Sequence, residues 1–411
     1  MSDTERAAIA YLRSPQAIRE QCDRLLTLAC DRQLAHFRCD LTQLQPTADY
    51  VLDVIRESYP DLNVPFHSRW RHFEVDRVSR LALLAEPLKG LDAVEQARIK
   101  FDLAVTSVLL DAGAGATWRY READTGLTFQ RSEGLAIASV HLFVAGGFSS
   151  DPTRPLQADA AGLSGLAESE LAAGFQVSAD NPLVGLEGRV TLLQRLGKAL
   201  YQWPDLFGEE IPRPGHLVDY LLDLAEGDRL SAVTVLQAVL NGMSDIWPGR
   251  VAIADLNLGD VWPHSALPND SIGGGLVPFH KLSQWLTYSL LEPLQELGLE
   301  ITDLDQLTGL AEYRNGGLCL DLGLLQPNDP AILTTPHPPG SEVIVEWRSL
   351  TVSLLDRIAQ SIRHSLGMDA TQLPLVKILQ GGTWTAGRRI AAELRPGGPP
   401  PLQILSDGTV F

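Results

Sequence analysis

The sequence contains few cysteines and no long apolar segment. The four cysteines, at positions 22, 30, 39 and 319, form no CxxC pair, which argues against a zinc ribbon or a thioredoxin-like redox site. No run of about 18 apolar residues is present, so we expect no membrane span. The first residues, MSDTERAAIAYL, lack the apolar core of a signal peptide. These absences predict a cytoplasmic protein with reduced thiols.

Common cofactor-binding and nucleophile motifs are also missing. The sequence has no GxxxxGKS/T phosphate-binding loop, no HExxH zinc helix and no GxSxG nucleophile turn. The glycines at 113 and 115 lack the third glycine of a dinucleotide-binding fingerprint. We therefore expect neither a metal ion nor an organic cofactor.

Basic residues are scarce relative to acidic ones. The chain has 33 Lys and Arg against 51 Asp and Glu, a net charge of −18. Such a charge does not favour the phosphates of nucleic acid or of an anionic membrane, so we expect neither as a partner. An anionic small-molecule substrate is compatible with this charge, because a few local Arg and Lys side chains can bind one phosphate.

Most of the chain has the apolar periodicity of helices. Ser14 and Pro15, for example, precede a stripe of apolar residues with the spacing of a buried helix face. Residues 118–131 alternate around an Asp-Thr-Gly turn and predict a hairpin, while VIVEW at 343–347 and LQILSDGTVF at 402–411 are strand-like. The sequence therefore predicts a mainly α, multi-helix protein with small β additions.

The 411 residues are 45% hydrophobic, and such a length is typical of two or three domains. No linker separates them clearly. We place an N-terminal helical region with the hairpin at 1–160, and a C-terminal helical region with most of the catalytic site at 161–411. One integrated unit is the alternative.

The stretch from 276 to 325 begins with a helix that carries an unusual load of polar and aromatic side chains. Its apolar residues recur every three or four positions: Phe279, Leu282, Leu286, Leu290, Leu294 and Leu297. His280, Lys281 and Trp285 lie on its other faces. Isolated charges in apolar sequence are costly to bury unless they are paired or used. We interpret this stretch as the active-site region.

Two carboxylates follow that helix as candidate catalytic groups. Glu312, set before an expected Asn-Gly-Gly turn, is either a catalytic carboxylate or the salt-bridge partner of Arg314 or another Arg. Asp321 is either a second carboxylate or a helix cap. His280 and Lys281 are adjacent and can bracket one anion, although a surface position is the alternative for Lys281.

Two other segments carry cations beside tryptophans. Trp70 and Arg71 belong to HSRWRHFE, which is either a ligand-binding cluster or a domain junction. Glu346 and Arg348 alternate in VIVEWR, so they would share one face of the predicted strand. There they form either a structural ion pair or part of the site.

These motifs resemble the uracil catabolism protein 4 family from Ser14 to the final SDGTVF. They are, in order, NVPFHSRWRHFEVDR, WRYREADTG, RSEGLA, LVPFHKLSQWLTYSLLEPL, LTGLAEYRNGGLCLDLGLL, VIVEWRSLTV and LQGGTWTAGRRIA. The resemblance implies a part in pyrimidine degradation through a ribosylurea-type intermediate. It also implies other enzymes of uracil catabolism as possible partners.

A more distant similarity, to the queuosine salvage protein, implies a reaction and a fold. That protein is a 5′-phosphate N-glycoside hydrolase whose helical fold is related to DNA glycosylases. The similar residues are Phe279, Lys281 and Gln284 with adjusted spacing, Ala311 to Arg314, and Glu346 to Arg348. The catalytic Asp of that protein corresponds to Glu312 in this sequence, whose side chain is one methylene group longer. The V-P-Q that follows this Asp falls on residues 315–317, so we expect the recognition of the leaving group to differ.

The residues and resemblances together predict hydrolysis of the N-glycosidic bond of a ribosylurea, in its 5′-phosphate form, to urea and ribose 5-phosphate. Glu312 would stabilise the ribosyl cation or orient water, and Asp321 would protonate the leaving urea. Lys281, with His280 and Arg314, would hold the phosphate. The predicted substrate contacts are His280, Lys281, Trp285, Arg314, Glu346, Arg348, Trp70 and Arg71.

Two other functions are compatible with the same residues. The first is hydrolysis of an amide bond in the ring-opened product, which would release ammonia and leave the glycosidic bond intact. The second is a non-catalytic partner that binds an unstable intermediate and passes it to a neighbouring enzyme. DNA glycosylase activity is disfavoured by the acidic charge.

Overall fold

Helices account for most of the computed structural model, which describes residues 1–248, 251–270 and 272–405, and they confirm the predicted mainly α class. In chain order they are α1 (Asp3–Leu12), α2 (Pro15–Cys30), α3 (Leu44–Ser58), α4 (Trp70–Phe73), α5 (Ala82–Leu88), α6 (Ala93–Leu109), α7 (Arg131–Val144), α8 (Ala160–Gly165), α9 (Glu168–Gly174), α10 (Leu186–Gln202), α11 (Pro204–Phe207), α12 (Leu217–Asp223), α13 (Ala232–Met243), α14 (Lys281–Glu296), α15 (Tyr313–Asp321), α16 (Glu342–Leu366), α17 (Leu375–Ile378) and α18 (Trp384–Leu394). A π-helical turn at Leu379–Thr383 joins α17 to α18. Among the described residues, no helix is both long and apolar enough to cross a lipid bilayer.

The strands are short and pair two by two. They are β1 (Phe37–Cys39), β2 (Tyr120–Arg121), β3 (Thr128–Phe129), β4 (Arg229–Ser231), β5 (Ala252–Ile253), β6 (Leu256–Asn257), β7 (Val261–Pro263), β8 (Leu276–Pro278), β9 (Glu300–Thr302) and β10 (Leu325–Pro327). β4 and β9 are parallel, whereas β1 with β10, β2 with β3, β5 with β6 and β7 with β8 are antiparallel. These ribbons are the small β additions that the sequence predicts.

The first of two compact units contains residues 1–67, 251–270, 272–284 and 303–405 of the described chain. Its central element is α16, against which α2, α3 and α15 pack. Every residue of α16 from Ile344 to Leu355 is buried, so the helix is covered on all faces over this stretch. Burial of each Leu or Ile side chain contributes about 1.5–3 kcal/mol to the stability of the fold. Because three helices pack on the buried stretch of α16, this helix is the centre of the core of the first unit.

The second unit contains residues 68–248 and 285–302 of the described chain. Here α6 packs against α7 and α12, and α10 packs against α8 and α13. Every residue of α6 from Phe101 to Leu109 is buried, as expected for a helix in the centre of a core. The boundary that we place near residue 160 lies inside this unit.

Signals that act over a few residues are confirmed. The Ser14 hydroxyl accepts the N–H of Ala17 (3.1 Å) at the start of α2, and Pro15 takes the first helical position. The hairpin predicted at 118–131 is formed by β2 and β3. Both features are specified by nearby residues, so their sequence signals are strong.

The strand predicted at 343–347 is wrong, because these residues belong to α16. A short apolar run is typical both of a buried strand and of a helix that is buried on all sides. On the helix, Glu346 and Arg348 lie roughly 200° apart and do not share a face. Of the strand-like segment at 402–411, residues 406–411 lie outside the described residues, and Ile404 forms a parallel bridge with His337.

The Asn-Gly-Gly turn predicted at 315–317 is also wrong, because these residues lie in α15. A Cβ atom on Gly316 would lie 2.3 Å from the ring of Trp347, and one on Gly317 would lie 3.1 Å from Pro401. The indole N–H of Trp347 donates to the main-chain oxygen of Gly316 (3.2 Å). The two glycines therefore permit a close approach of neighbouring segments to α15.

Candidate active site

The start of α14 is built around Asp260, a residue outside the motifs that stand out in the sequence. Its main-chain oxygen accepts the N–H of Phe279 (2.9 Å), and its carboxylate accepts the N–H of Lys281 (3.1 Å). His280, between them, has a left-handed backbone (φ 49°), and its Nε2 lies 2.8 Å from the main-chain oxygen of Leu12. Burial lowers the pKa of His280. His280 therefore anchors the turn that leads into α14.

Asp260 also forms a bidentate ion pair with Arg348 of α16. Both N···O distances are 2.7 Å, and the indole N–H of Trp262 donates to the same carboxylate (2.6 Å). The guanidinium of Arg348 is buried and lies 4.0 Å from the ring centroid of Phe279. Burial alone would raise the pKa of Asp260, but the charge and hydrogen bonds of Arg348 hold this pKa well below its usual range. The pair is therefore ionised at neutral pH.

The segment 307–312, which leads to Glu312, is held by two helices. The side chain of Gln284, in α14, donates to Thr308 Oγ1 (2.7 Å) and accepts the N–H of Thr308 (2.9 Å). Arg348, in α16, donates through Nε to the main-chain oxygen of Ala311 (3.4 Å). The position of Glu312 therefore depends on both helices.

Glu312 is the N-cap of α15. One carboxylate oxygen accepts the N–H of Arg314 (2.7 Å), and the other accepts the N–H of Asn315 (2.6 Å). Only 6% of the residue is exposed. Burial raises the pKa of Glu312, while these two N–H groups and the Lys281 ammonium partly offset the rise. The charge of Lys281 thus acts on Glu312, and the two N–H groups fix the carboxylate in one orientation.

Arg314 and Glu346 are engaged by other parts of the first unit. The Arg314 guanidinium donates to the main-chain oxygen of Gly398 (2.9 Å), its backbone N–H donates to Glu312, and its positive charge also lowers the pKa of Glu312. The buried carboxylate of Glu346 accepts the N–H groups of Phe37 (2.6 Å) and His36 (3.1 Å). Glu346 therefore connects α16 to the start of β1.

Asp321 lies at the opposite end of α15 from Glu312. The length of this helix separates the two positions by roughly 13–14 Å along the axis. The carboxylate oxygens of Asp321 accept from the Nη1 (2.7 Å) and Nη2 (2.5 Å) atoms of Arg395. The structure brings Asp321 together with Arg395 and not with Glu312.

The other predicted contacts, Trp70, Arg71 and Trp285, belong to the second unit. The indole N–H of Trp70 donates to the main-chain oxygen of Ser289 (2.7 Å), and Arg71 pairs with Glu292 (2.5 Å). Trp285 is buried. Trp70 and Arg71 also line a cleft of about 460 Å³ that α5 borders. Their predicted role in binding substrate stays a prediction.

Among the described residues, no group of three His, Cys, Asp or Glu side chains is placed to share a metal ion. The carboxylates of Asp260 and Glu312 are bound by donors of the protein itself. In the first case these include the guanidinium of Arg348, and in the second they are backbone N–H groups.

Comparison with known proteins identifies the family. The family described as "Protein of unknown function (DUF1688)" matches residues 11–411. The chain is 40% identical over 437 residues to "Uracil catabolism protein 4" of Lachancea kluyveri. The alignment covers 98% of this chain and 99% of that protein. It is 39% identical over 413 residues to "Protein urg3" of Schizosaccharomyces pombe, with the same coverage of 98% and 99%. The chain therefore belongs to the DUF1688 family, as the resemblance to uracil catabolism protein 4 predicts.

Proposed function

We propose that this chain acts in uracil catabolism and hydrolyses the N-glycosidic bond of a ribosylurea, in its 5′-phosphate form, to urea and ribose 5-phosphate. The observation that carries the proposal is the environment of Glu312. Its carboxylate is buried, held by two backbone N–H groups and close enough to Lys281 for the ammonium to lower its pKa. Similarity to a protein named for uracil catabolism supports the choice of substrate.

Cleavage of an N-glycoside passes through an oxocarbenium-like ribosyl cation. A fixed carboxylate beside the anomeric carbon stabilises that positive charge without reorganising during the reaction. Each oxygen of Glu312 already accepts one backbone N–H, which orients the carboxylate toward a defined direction. A raised pKa also suits a group that takes a proton from water. Glu312 is therefore the catalytic carboxylate of the proposal.

The atoms of the proposed reaction balance without a further reactant. The bond between the anomeric carbon and the urea nitrogen breaks, and its electron pair goes to nitrogen. Water adds to the anomeric carbon and gives one proton to Glu312. The urea nitrogen takes up one proton, and Glu312 releases its own before the next turnover. Asp321, the predicted donor of that proton, is paired with Arg395, so we assign the proton to solvent.

Lys281 is the cation that we assign to the substrate phosphate. His280 binds the main-chain oxygen of Leu12, and the guanidinium of Arg314 binds that of Gly398. Both therefore have roles in holding the site together. Binding energy from a phosphate that does not react positions the anomeric carbon that does.

The decisive experiment is to incubate the purified protein with ribosylurea 5′-phosphate and follow products by proton NMR. Urea and ribose 5-phosphate are the expected products. Ammonia would identify amide hydrolysis instead, and unchanged substrate with broadened signals would identify a binding partner. Glu312→Gln should lower turnover by roughly three to four orders of magnitude, as expected for loss of a catalytic acid–base group and its electrostatic stabilisation.

A matched control for Glu312→Gln is Asp92→Asn. Asp92 is also an acidic N-cap, whose carboxylate accepts the N–H of Glu95 (2.8 Å) at the start of α6. This control changes a cap from acid to amide without touching the proposed chemistry, so its turnover should match the wild type. If Glu312→Gln is equally active, Glu312 is only a helix cap.

The assignment of Lys281 has its own test. Lys281→Ala should weaken binding of the phosphorylated substrate by roughly 10- to 100-fold, the typical value of a hydrogen bond to a charged group. Binding of unphosphorylated ribosylurea should change much less. An equal loss for both compounds would remove the phosphate from the proposal.

A further inference from the structure

Two motifs that the proposed reaction does not use meet beside α18. His67, from the motif around residue 70, has its Nδ1 atom 2.9 Å from the Oε1 atom of Gln380. Its ring also packs against that of Trp384, with centroids 5.9 Å apart. The main-chain N–H of His67 donates to the main-chain oxygen of Val376 (3.0 Å). The side chains of His67, Gln380 and Trp384 therefore form one cluster within the first unit.

Gln380 lies in the π-helical turn Leu379–Thr383. A Cβ atom on Gly381 would lie 2.8 Å from Val64, and one on Gly382 would lie 2.6 Å from Val51. The wide turn is thus pressed against the surrounding chain on the side of its two glycines. π-Helical turns are rare and occur frequently at functional sites. Gln380 is the second residue of this turn.

The π-helical turn lies beyond the end of α15 that carries Glu312. α15 and α18 run parallel, because a Cβ atom on Gly387 would lie 2.3 Å from the main-chain oxygen of Arg314, while Arg395 pairs with Asp321. This alignment sets residue 385 or 386 level with Glu312. Gln380 then lies roughly 7–8 Å farther along the axis, at a rise of about 1.5 Å per residue.

His67 occupies only the Oε1 atom of the Gln380 side-chain amide, so the Nε2 group of Gln380 can donate to another partner. With the proton on Nδ1 of His67, the Oε1 atom of Gln380 accepts, and its Nε2 group is directed elsewhere. Within the part of the chain that the structure describes, no group accepts a hydrogen bond from this Nε2. Gln380 is half-buried, so the donor is held by the protein and still accessible.

We propose that Gln380 recognises the leaving group, by donating a hydrogen bond from Nε2 to the carbonyl oxygen of the ureido group. This inference rests on the proposed function. Along the helix axes, the offset of roughly 7–8 Å between Gln380 and Glu312 is one that the glutamine side chain, a hydrogen bond of about 2.9 Å and the ureido group can bridge together. As the bond breaks, negative charge spreads onto this oxygen, and the donor stabilises it. His67 is a positioning residue.

The test compares Gln380→Met with the wild type. Methionine has nearly the same length and no donor, so kcat/KM for ribosylurea 5′-phosphate should fall roughly 10- to 100-fold. Inhibition by ribose 5-phosphate, which lacks the ureido group, should stay within about twofold, because the change removes one specific hydrogen bond. Gln380→Glu keeps the acceptor for His67 but places an acceptor beside the carbonyl, and should lower kcat/KM at least as far.

Gln326→Met is the matched control. Gln326 is also half-buried in the first unit, and its Oε1 accepts from Arg38 (2.9 Å), but it lies in β10. Its kcat/KM should equal that of the wild type. An unchanged kcat/KM in Gln380→Met, or an equal loss of ribose 5-phosphate binding, would overturn the role of Gln380. A wild-type protein that leaves ribosylurea 5′-phosphate intact would overturn the proposed function, and this inference with it.

Discussion

Asp260 and Arg348 face each other with two N···O distances of 2.7 Å, and this pair joins the start of α14 to α16. Removing one partner leaves a buried charge without its counter-charge. We expect Asp260→Asn to lower the free energy of unfolding by about 3–5 kcal/mol, measured by urea denaturation at pH 7. The same change should displace Lys281, whose N–H the carboxylate accepts.

Glu57→Gln is the control, because the pair of Glu57 with Arg389 is exposed and should contribute below about 1 kcal/mol. If Asp260→Asn lowers the free energy of unfolding as little as Glu57→Gln does, the guanidinium of Arg348 is solvated in the variant. The pKa of Asp260 is lower in the folded protein than in the unfolded chain. The ionised carboxylate therefore stabilises the fold fully at pH values above about 4, the usual pKa of an Asp. This stabilisation is lost as the pH falls through the lowered pKa, where wild type and variant should converge.

The rate of the proposed reaction should depend on the ionisation of Glu312. Burial raises its pKa, and the carboxylate works in the ionised form, so kcat should rise with pH through a midpoint above the usual value of about 4.3. Lys281 lowers this pKa, so Lys281→Met should move the midpoint to higher pH. The measurement is kcat at saturating substrate across the acid limb.

If the midpoint of the acid limb of kcat is the same in Lys281→Met and in the wild type, the charge of Lys281 does not influence the group that controls the rate. In that case another carboxylate controls the rate. Lys281→Arg keeps the positive charge and is the matched control, with a midpoint close to that of the wild type.

The sequence predicts those features that nearby residues specify. Ser14 and Pro15 begin α2 as expected, and the hairpin at 118–131 is formed. The helical class follows from periodicity alone. The apolar run at 343–347 misleads because α16 is buried on several faces, a property of its neighbours in space and not of its own residues.

The arrangement of the candidate site residues is predicted in part for the same reason. Glu312 and Lys281 stand out because they are charges in apolar sequence, and in the structure the charge of Lys281 lowers the pKa of Glu312. Asp260 is missed because it lies in an irregular segment and its partner is 88 residues away along the chain. A signal existed, since Arg348 lies in an apolar run and needs a counter-charge.

Asp321→Asn separates the predicted catalytic role of Asp321 from a structural one. The carboxylate holds Arg395, so we expect a loss of stability of about 1.5–3 kcal/mol, the typical value of hydrogen bonds to charged groups. Turnover of the folded variant should stay close to that of the wild type. Arg395→Met removes the same pair and should have a similar effect, so the double variant should show non-additive losses.

A different outcome would return Asp321 to the mechanism. Turnover that falls by orders of magnitude in Asp321→Asn, but not in Arg395→Met, would identify Asp321 as the proton donor. Both stability and rate must therefore be measured on each variant.

Gly316→Ala tests whether the glycines of α15 serve close packing. A Cβ atom would lie 2.3 Å from the Trp347 ring, so we expect destabilisation of about 1–3 kcal/mol despite the higher helix propensity of Ala. Gly165→Ala is the matched control, since a Cβ there meets no atom within 4 Å. Its stability, measured in the same thermal melt, should be unchanged or higher. Equal stability of the two variants would show that the Trp347 side chain can move away from the added methyl group without destabilising the fold.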